Sequence, residues 1–385
     1  MKELRVALFT GNYNHIRDGV SLTLNRLVSY LESNNIPVLV IAPSNKEPAI
    51  DHCGDLIVTP SIPMLVPGRK EYRIATHFPR WAKKKVEEFN PTLIHIATPD
   101  GLGVGALKWA RRKKLPRVTS YHTHFLSYTD YYPAHLNPVK KPFKNLMKWF
   151  YRQFEHTYVP SQSMIEELHN EGIPGTMKIW ARGIDLDRFN PSKRDMEWRR
   201  GVGFKDDEIV VSFVSRLVWE KELRTYIDSV NEIQKKYPKV RALVVGNGPA
   251  QEEAEQLLPN AHFTGFAKGE DLARAYASGD VFMFPSHTET FGNVTLEAMA
   301  SGLPCVVADA IGSKSLVNHG VNGYLAKKES VEDFTRQLEK IVSDPEKRIE
   351  MGKTSREMAM GYQWESINAG LVENYREVLE NWNQE

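Results

Sequence analysis

Short apolar runs alternate with amphipathic stretches along the first half of the chain. Residues 20–31, with apolar side chains at Val20, Leu24 and Leu27, show the spacing of a helix that buries one face. The predicted strands are residues 4–10, 38–42, 93–96, 118–121 and 156–159, and the predicted helices are residues 20–31, 74–88, 103–112, 143–154 and 161–170. This alternation predicts a parallel sheet with helices on both faces.

The alternation returns after a polar, proline-containing segment, residues 185–203, which we interpret as a linker. The predicted strands of the second half are residues 209–213, 243–245, 261–263, 281–284 and 305–308, and residues 329–360 and 364–382 have helical patterns. The sequence therefore predicts an α/β protein of two doubly wound domains that face each other across a cleft. Functional side chains are expected in the loops that follow the strands, because ligands of such sheets bind at the carboxyl ends of the strands.

Composition is that of a soluble globular protein, with 41% hydrophobic and 25% charged residues among 385. Lys2, Glu3 and Arg5 precede only a short apolar run, unlike a signal peptide. No apolar run approaches the roughly 20 residues of a membrane span. We expect a cytoplasmic protein in which Cys53 and Cys305 are buried, reduced thiols.

Charge is distributed unevenly along the chain. Residues 1–190 contain 26 Lys and Arg against 17 Asp and Glu, a net charge of +9, whereas residues 191–385 contain 24 against 31, a net charge of −7. Basic runs with aromatic neighbours lie at residues 80–85, 111–114 and 140–152. They suit an anionic membrane surface, and a solvated basic face explains them equally well. Nucleic acid is disfavoured, because no nucleic-acid motif accompanies the charge.

Residues 285–304, PSHTETFGNVTLEAMASGLP, carry the clearest chemical signal. They follow a predicted strand, and residues 293–301 predict a helix that Gly302 ends. Glu289 then lies in the loop and Glu297 just over one turn inside the helix, with the first helical amides between them. Such amides bind anions, and flanking carboxylates can hold sugar hydroxyls. The segment suits a nucleotide-sugar.

Three other strand-end loops carry cations or glycine. Arg216 and Lys221 flank a turn into a helix, where two fixed cations would stabilise a departing diphosphate. Surface pairing with neighbouring glutamates is the alternative. Asp18 and Gly19 precede the first helix and suit either a phosphate contact or a helix cap. Gly246 fits a tight turn that borders a nucleotide pocket.

Two histidines, His122 and His124, follow the strand predicted at residues 118–121. A metal site is disfavoured, because no third ligand is evident nearby. A polar group in the cleft and a structural histidine both fit the pattern.

Together these motifs resemble the family-four retaining glycosyltransferases of the GT-B fold, over essentially the whole chain. Glu289 and Glu297 match the E-x7-E signature of that family, and Arg216 with Lys221 matches its phosphate-binding Arg and Lys. Residues 182–191, RGIDLDRFNP, are similar to its interdomain segment, usually written N-G-V-D-x-x-x-F-x-P. The histidine pair is similar to the histidine at the end of a strand in the N-terminal domain of these enzymes.

The resemblance implies roles for the matching positions. The catalytic residues would be His122, Arg216, Lys221 and Glu289. The donor-binding residues would be Asp18, Gly19, Gly246, Thr290, Phe291, Gly292, Asn293 and Glu297. Glu289 would hold hydroxyls of the donor sugar, Glu297 would hold the ribose, and His122 would lie beside the reacting sugar.

The implied reaction transfers a hexose from a UDP- or GDP-linked donor to an acceptor hydroxyl, with retention at the anomeric carbon and without an obligatory metal or other cofactor. The implied domains are residues 1–188, which bind the acceptor, and residues 189–362, which bind the donor. Residues 363–385 would form a helix that crosses back to the N-terminal domain.

Some positions depart from the family pattern. Ser215 and Glu222 replace glycines beside the two cations, and Arg182 replaces an asparagine. Residues 121–124 and 272–281, with the basic first half, most resemble the sulfoquinovosyl diacylglycerol synthase and lipid mannosyltransferase branch. We therefore expect a lipid acceptor, such as diacylglycerol or a glycolipid, and a peripheral location on the inner face of the membrane.

Several other functions fit parts of the pattern. A soluble or polysaccharide-precursor acceptor and a nucleotide-sugar epimerase of the same fold are alternatives. A non-catalytic nucleotide-sugar binder is disfavoured by the intact set of charged residues. A dinucleotide dehydrogenase is disfavoured because no glycine-rich fingerprint follows the first strand.

Overall fold

The computed structural model describes residues 3–64, 72–122 and 137–384. The chain divides into two compact units. The first unit consists of Met1–Ala181 with Glu365–Glu385, and the second unit consists of Arg182–Trp364. Each unit has its own parallel sheet and its own core, which confirms the predicted α/β class with two Rossmann-like domains.

The strands of the first unit are β1 (Val6–Phe9), β2 (Val38–Ala42), β3 (Asp55–Val58), β4 (Ser61–Pro63), β5 (Arg73–Ala75), β6 (Leu93–Ile96), β7 (Arg117–Ser120), β8 (His156–Val159) and β9 (Met177–Ile179). In the described residues, seven of them form a parallel sheet in the order β3-β2-β1-β6-β7-β8-β9, and β4 pairs antiparallel with β5. The helices between them are α1 (Gly19–Ser33), α2 (Arg80–Phe89), α3 (Gly101–Arg112), α4 (Asn137–Tyr151) and α5 (Gln162–Asn170).

The second unit repeats this topology. Its strands are β10 (Ile209–Val214), β11 (Val240–Val245), β12 (His262–Gly265), β13 (Val281–Phe284), β14 (Cys305–Ala308) and β15 (Gly323–Ala326), in the parallel order β12-β11-β10-β13-β14-β15. Its helices are α6 (Met196–Gly201), α7 (Leu223–Lys236), α8 (Gln251–Leu257), α9 (Gly269–Ala277), α10 (Asn293–Ala300), α11 (Val331–Val342) and α12 (Pro345–Met360). Helix α13 (Trp364–Trp382) closes the chain.

Strand order determines where each sheet presents its loops. The direction of winding reverses between β1 and β6 in the first sheet and between β10 and β13 in the second. Loops at the carboxyl ends of the strands diverge at such a reversal and leave a crevice, which is where doubly wound sheets bind ligands. The candidate residues after β10 and β13 therefore lie at the switch point of the second sheet.

Helix α13 returns to the first unit, which confirms the predicted C-terminal helix that crosses back to the N-terminal domain. Leu371, Val372, Tyr375 and Val378 are buried in one hydrophobic cluster with the residues of β1, β2 and α1. A salt bridge of 3.2 Å between Lys178 Nζ and Glu377 Oε2 joins the helix to the middle residue of β9. The last helix is thus part of the core of the first unit.

Several predicted elements were wrong in detail. The helix predicted at residues 74–88 begins only at Arg80, because residues 73–75 form β5 and pair with β4. The predicted helix 329–360 is two helices, because Asp344 caps α12 with Pro345 at its first position. The segment interpreted as a linker contains α6.

The two cysteines differ in exposure. Cys305 is buried and Cys53 only half-buried, and both are free thiols. In the described part of the chain, every helix is too short or too polar to cross a membrane.

Replacing Leu371 with alanine should destabilise the first unit, because its side chain is 2% exposed in the core that α13 completes. A buried Leu→Ala change costs about 2–5 kcal/mol of unfolding free energy. Leu22→Ala is the matched control, since Leu22 lies on α1 and is 43% exposed. Urea unfolding followed by circular dichroism measures both. Equal losses in the two variants would contradict the packing of α13 on this unit.

Candidate functional site

An ion pair joins the loops that follow the adjacent strands β10 and β13. Lys221 ends a short 3-10 turn, and Glu289 lies in the loop before α10. Lys221 Nζ donates to Glu289 Oε1 at 2.6 Å, and the side chains are 20% and 23% exposed. Lys221 Nζ also lies 3.4 Å from Thr288 Oγ1. The pair therefore ties the two loops together at the switch point of the sheet.

Arg216 lies in the same loop as Lys221, two residues after the end of β10. Its side chain is exposed and makes no hydrogen bond or ion pair with any residue of the described ranges. Glu289 compensates the charge of Lys221, whereas the charge of Arg216, in the same loop, is compensated by no side chain of the described residues.

Two glycines of the neighbouring loop, after β11, shape the loop that holds Arg216. Gly246 has φ +132°, and a Cβ there would lie 1.9 Å from the carbonyl oxygen of Ser215. A Cβ on Gly248 would lie 2.3 Å from the carbonyl oxygen of Leu217. The structure therefore gives Gly246 a packing role, and its predicted contact with the donor stays a prediction.

Glu222 departs from the glycine that is usual in the family, and the backbone shows why glycine suits the position. Its φ is +55°, in the left-handed region, where a side chain costs about 1–2 kcal/mol. The carboxylate offsets part of this cost by accepting a 2.8 Å hydrogen bond from Thr225 Oγ1. Ser215, the other departure, has no positive φ, so the backbone there does not require glycine.

The loop after β13 leads directly into α10. Gly292, with φ +94°, is the N-cap residue, and no side chain caps the helix. Phe291 is buried, and its ring lies 5.9 Å from that of Tyr362, whereas Asn293 is exposed. Thr290 is half-buried. The first-turn amides of α10 thus have no side-chain acceptor, and such amides attract an anion.

Glu297 faces a different environment from Glu289. Its Oε2 accepts a 2.9 Å hydrogen bond from the hydroxyl of Tyr276, on α9. Burial raises the pKa of the Glu297 carboxyl to about 7, and the Tyr276 hydrogen bond and the charge of Arg188 oppose that rise. The two glutamates of the motif are therefore held by different partners, one by a lysine and the other by a tyrosine.

His287, which the sequence reasoning missed, lies between two carboxylates. Its Nδ1 is 3.8 Å from Glu222 Oε1, and its Nε2 is 3.7 Å from Glu329 Oε1. Glu222, His287 and Glu329 thus form a cluster of side chains that are able to ligate a metal ion. One ligand atom from each of the three residues lies within 4.8 Å of the other two, which is the spacing of a candidate cation site. Both carboxylates lie beyond hydrogen-bond distance of the imidazole, and His287 Nδ1 has no hydrogen-bond partner among the described residues.

Asp18 and Gly19 begin helix α1 in the first unit. Asp18 Oδ1 accepts from the backbone N–H of Ser21 at 2.8 Å, and Oδ2 accepts from Asn12 Nδ2 at 3.0 Å. The backbone N–H of Asp18 donates in turn to Ser21 Oγ, which completes a capping box. The carboxylate is thus used by the helix cap, and Gly19 is exposed at the first helical position.

His122 follows β7 in the first unit and is buried, at 8% exposure. Its Nε2 lies 2.8 Å from Ser120 Oγ, and its ring lies 5.4 Å from that of Trp180. His124 lies outside the described residues.

Family models match both halves of the chain. The model described as Glycosyltransferase Family 4 matches residues 17–188, and the model described as Glycosyl transferases group 1 matches residues 195–358.

Three curated proteins are similar over most of the chain. A GDP-mannose-dependent alpha-mannosyltransferase of Corynebacterium glutamicum is 31% identical over 98% of this chain and 90% of that protein. Sulfoquinovosyl transferase SQD2 of Arabidopsis thaliana is 34% identical over 74% of this chain and 57% of that protein. An alpha-monoglucosyldiacylglycerol synthase of Acholeplasma laidlawii is 25% identical over 89% of both.

Solved structures agree on the architecture. Sucrose-phosphate synthase from Thermosynechococcus elongatus superposes with a TM-score of 0.78 at 20% identity, over 98% of this chain and 100% of that one. The Anabaena protein HepE, solved with UDP and glucose, gives a TM-score of 0.71 at 20% identity, over 97% and 100%. At such identities the likeness shows the fold, which is GT-B.

Replacing Glu297 with glutamine should change how stability depends on pH. Burial in the folded chain raises the pKa of the Glu297 carboxyl from its ordinary value of 4.5 to about 7. Between these values the unfolded chain binds fewer protons than the native one, so the free energy of unfolding falls as pH rises. Glu297→Gln removes this loss, and its melting temperature relative to wild type should rise between about pH 5 and about pH 8.

A second variant tests the cause of this dependence. Tyr276→Phe removes a hydrogen bond to the ionised carboxylate, so the destabilisation should extend to higher pH than in wild type. Differential scanning calorimetry at several pH values measures both variants. A pH-independent difference between Glu297→Gln and wild type would show that the carboxyl is not buried as described.

Proposed function

Because this chain belongs to glycosyltransferase family 4 and uses a nucleotide-sugar as hexosyl donor, we propose that it transfers a hexose from a UDP- or GDP-linked donor to a hydroxyl of a membrane lipid. The observation that carries the donor half of the proposal is the arrangement at the switch point of the second sheet. There the loops of two adjacent strands hold an ion pair, an arginine that has no partner among the described residues, and a helix N-terminus without a side-chain cap.

The diphosphate of the donor binds Arg216 and Lys221 in this proposal. Arg216 has no partner among the described residues, so its planar guanidinium is available to hold two phosphate oxygens. The amides at the start of α10, from Gly292 onward, add donors without a charge of their own. Gly19 plays the same part at the start of α1, where Asp18 fixes the first turn through its cap.

The donor sugar and the ribose bind the two glutamates. Glu289 Oε1 is held by Lys221, whereas Oε2 accepts no hydrogen bond from any side chain or amide in the described ranges and is available to a sugar hydroxyl. Glu297 binds the ribose hydroxyls, with Tyr276 holding the carboxyl in place. The loop between Glu289 and Glu297 is shaped by Thr290, Phe291 and Asn293. His122 lies beside the reacting sugar.

The transfer step then proceeds on one face of the sugar. The bond between the anomeric carbon and the phosphate oxygen breaks, and the diphosphate leaves with the electron pair. The acceptor hydroxyl forms the new bond from the same face and gives its proton to an oxygen of the departing phosphate. Arg216 and Lys221 stabilise the charge that develops on the diphosphate, so no residue needs to form a covalent bond to the sugar.

Two helices of the first unit support a lipid acceptor. Trp81 on α2 is 48% exposed and lies beside exposed lysines, and the Nζ of Lys85 is 5.9 Å from its ring. On α4, Leu146 and Trp149 are 45% and 37% exposed. Exposed aromatic and aliphatic side chains among lysines suit the interface of an anionic bilayer. The similar protein of Acholeplasma laidlawii is named as a synthase of alpha-monoglucosyldiacylglycerol, which fits the same acceptor class.

Removing either cation should lower turnover more than donor affinity. Arg216→Ala and Lys221→Ala should each reduce kcat by about 10²-fold or more, because they act on charge that grows in the transition state. The donor KM should change far less. Arg224→Ala is the matched control, since Arg224 lies on α7, is largely exposed and pairs with Asp228.

Steady-state transfer of radiolabelled sugar, with donor and acceptor varied in turn, measures these constants. Unchanged kcat in both variants would contradict the assignment of Arg216 and Lys221 to the diphosphate. Release of an isomerised nucleotide-sugar without acceptor would indicate an epimerase instead.

The lipid acceptor predicts selective binding to anionic vesicles. The protein should sediment with phosphatidylglycerol vesicles more than with phosphatidylcholine vesicles, and added salt should weaken the binding. Trp149→Ala should reduce the affinity for vesicles by about 10-fold, because an aromatic side chain that becomes buried in the bilayer contributes about 1.5–3 kcal/mol to the binding free energy. Phe266→Ala is the control, since Phe266 is 70% exposed in the acidic second unit. Transfer to soluble acceptors alone, with no vesicle binding, would contradict a lipid acceptor.

A further inference from the structure

We propose that Tyr375, His95 and Ser120 act as positioning residues for His122 and fix which of its ring nitrogens carries the proton. The inference rests on the proposed function, which puts His122 beside the reacting sugar. It adds that the last helix of the chain, through Tyr375, determines the state in which that histidine meets its substrate.

The four side chains form a continuous hydrogen-bonded chain within the first unit. The Tyr375 hydroxyl lies 2.6 Å from His95 Nδ1, and His95 Nε2 lies 2.8 Å from Ser120 Oγ. Ser120 Oγ lies 2.8 Å from His122 Nε2. Tyr375 and His95 are fully buried, and Ser120 is 2% exposed. Bulk water therefore does not compete for these groups.

Burial also fixes the direction of each hydrogen bond. Tyr375 has a pKa raised well above its usual value by burial, so it keeps its proton. Within the described ranges His95 Nδ1 is the only acceptor for that hydroxyl, so Tyr375 donates. Burial lowers the pKa of His95 to about 3, which makes its ring neutral with one N–H. Because Nδ1 accepts, that N–H is on Nε2.

The remaining two steps follow from the first. His95 Nε2–H donates to Ser120 Oγ, and the Ser120 hydroxyl donates its own hydrogen to His122 Nε2, its other partner. A neutral His122 that accepts at Nε2 carries its proton on Nδ1. The chain of bonds thus selects one of the two tautomers of His122 and holds the plane of its ring.

Helix α13 holds the start of this chain rigidly. Tyr375 lies in the core cluster beside Val372 and Val378. The same helix contributes Asn368, whose Oδ1 accepts from Trp180 Nε1 at 3.4 Å, and the ring of Trp180 packs 5.4 Å from that of His122. One helix therefore constrains His122 both through hydrogen bonds and through a ring contact.

Tyr375→Phe tests the inference, because it removes one hydroxyl and leaves the ring in the core. Tyr158→Phe is the matched control. Tyr158 is buried in the same cluster, with its ring 5.8 Å from that of Tyr375, but its hydroxyl has no hydrogen-bond partner in the described structure. Ser120→Ala is a second variant that cuts the chain at another bond without a large change of volume.

The readout is the tautomer of His122 in full-length protein labelled with ¹⁵N-histidine, observed by two-bond ¹H–¹⁵N correlation and assigned with His122→Asn. Wild type and Tyr158→Phe should show the Nδ1–H form. Tyr375→Phe and Ser120→Ala should show a mixture of both tautomers. Their kcat should fall by about 10-fold, the effect of one hydrogen bond, while the donor KM changes less than about twofold.

Three results would overturn the inference. The first is a wild-type His122 with its proton on Nε2. The second is a tautomer that is unchanged in both Tyr375→Phe and Ser120→Ala. The third is a changed tautomer with unchanged kcat, which would exclude the positioning role. Full activity of His122→Asn is a separate outcome. It would refute the role of His122 in the proposed function, while the spectra would still decide the direction of the hydrogen bonds.

Discussion

The ion pair between Lys221 and Glu289 links the two loops to which we assign donor binding. Each loop follows a strand beside the reversal of the second sheet, and the pair holds a cation of one loop against a carboxylate of the other. Glu289 compensates the charge of Lys221, whereas Arg216 has no partner among the described residues. The pair is partly exposed, so its own contribution to stability is small. Its importance lies in the geometry that it gives to both partners.

Backbone packing supplies the rest of that geometry. Gly246 and Gly248 allow the loop after β11 to pack directly against the loop that contains Arg216. Gly312 packs in the same way against the backbone of Glu289, since a Cβ on Gly312 would lie 2.6 Å from the carbonyl oxygen of Glu289. Glu222 keeps a left-handed turn beside Lys221 despite its side chain. Charged groups in this site are therefore positioned by close backbone contacts, which is how a site becomes organised before its ligand arrives.

The sequence predicted the framework because its signals are local. Buried parallel strands are short apolar runs, so β2, β6, β8, β13 and β14 were predicted with the observed bounds. Helix α13 was predicted because the amphipathic period of a helix can be recognised in the sequence without knowing what the helix packs against. Strands β4 and β5 were missed because three-residue strands stabilised by each other carry almost no periodicity. The same limit applies to the site. Its hydrogen bonds join residues that are far apart in sequence and that only the folded chain brings together. Examples are the bonds between Lys221 and Glu289, Tyr276 and Glu297, and Tyr375 and His95.

We propose that the second unit binds a nucleotide-sugar through the diphosphate of that ligand. The most direct measurement is a thermal-shift panel of UDP- and GDP-linked hexoses, with the matching hexose 1-phosphates and nucleosides as controls. A ligand at about 100 times its Kd stabilises the native state by about 2.7 kcal/mol. We expect at least one nucleotide-sugar to raise the melting temperature, whereas its hexose 1-phosphate and its nucleoside should not. A panel in which no nucleotide-sugar raises the melting temperature would contradict donor binding through the diphosphate.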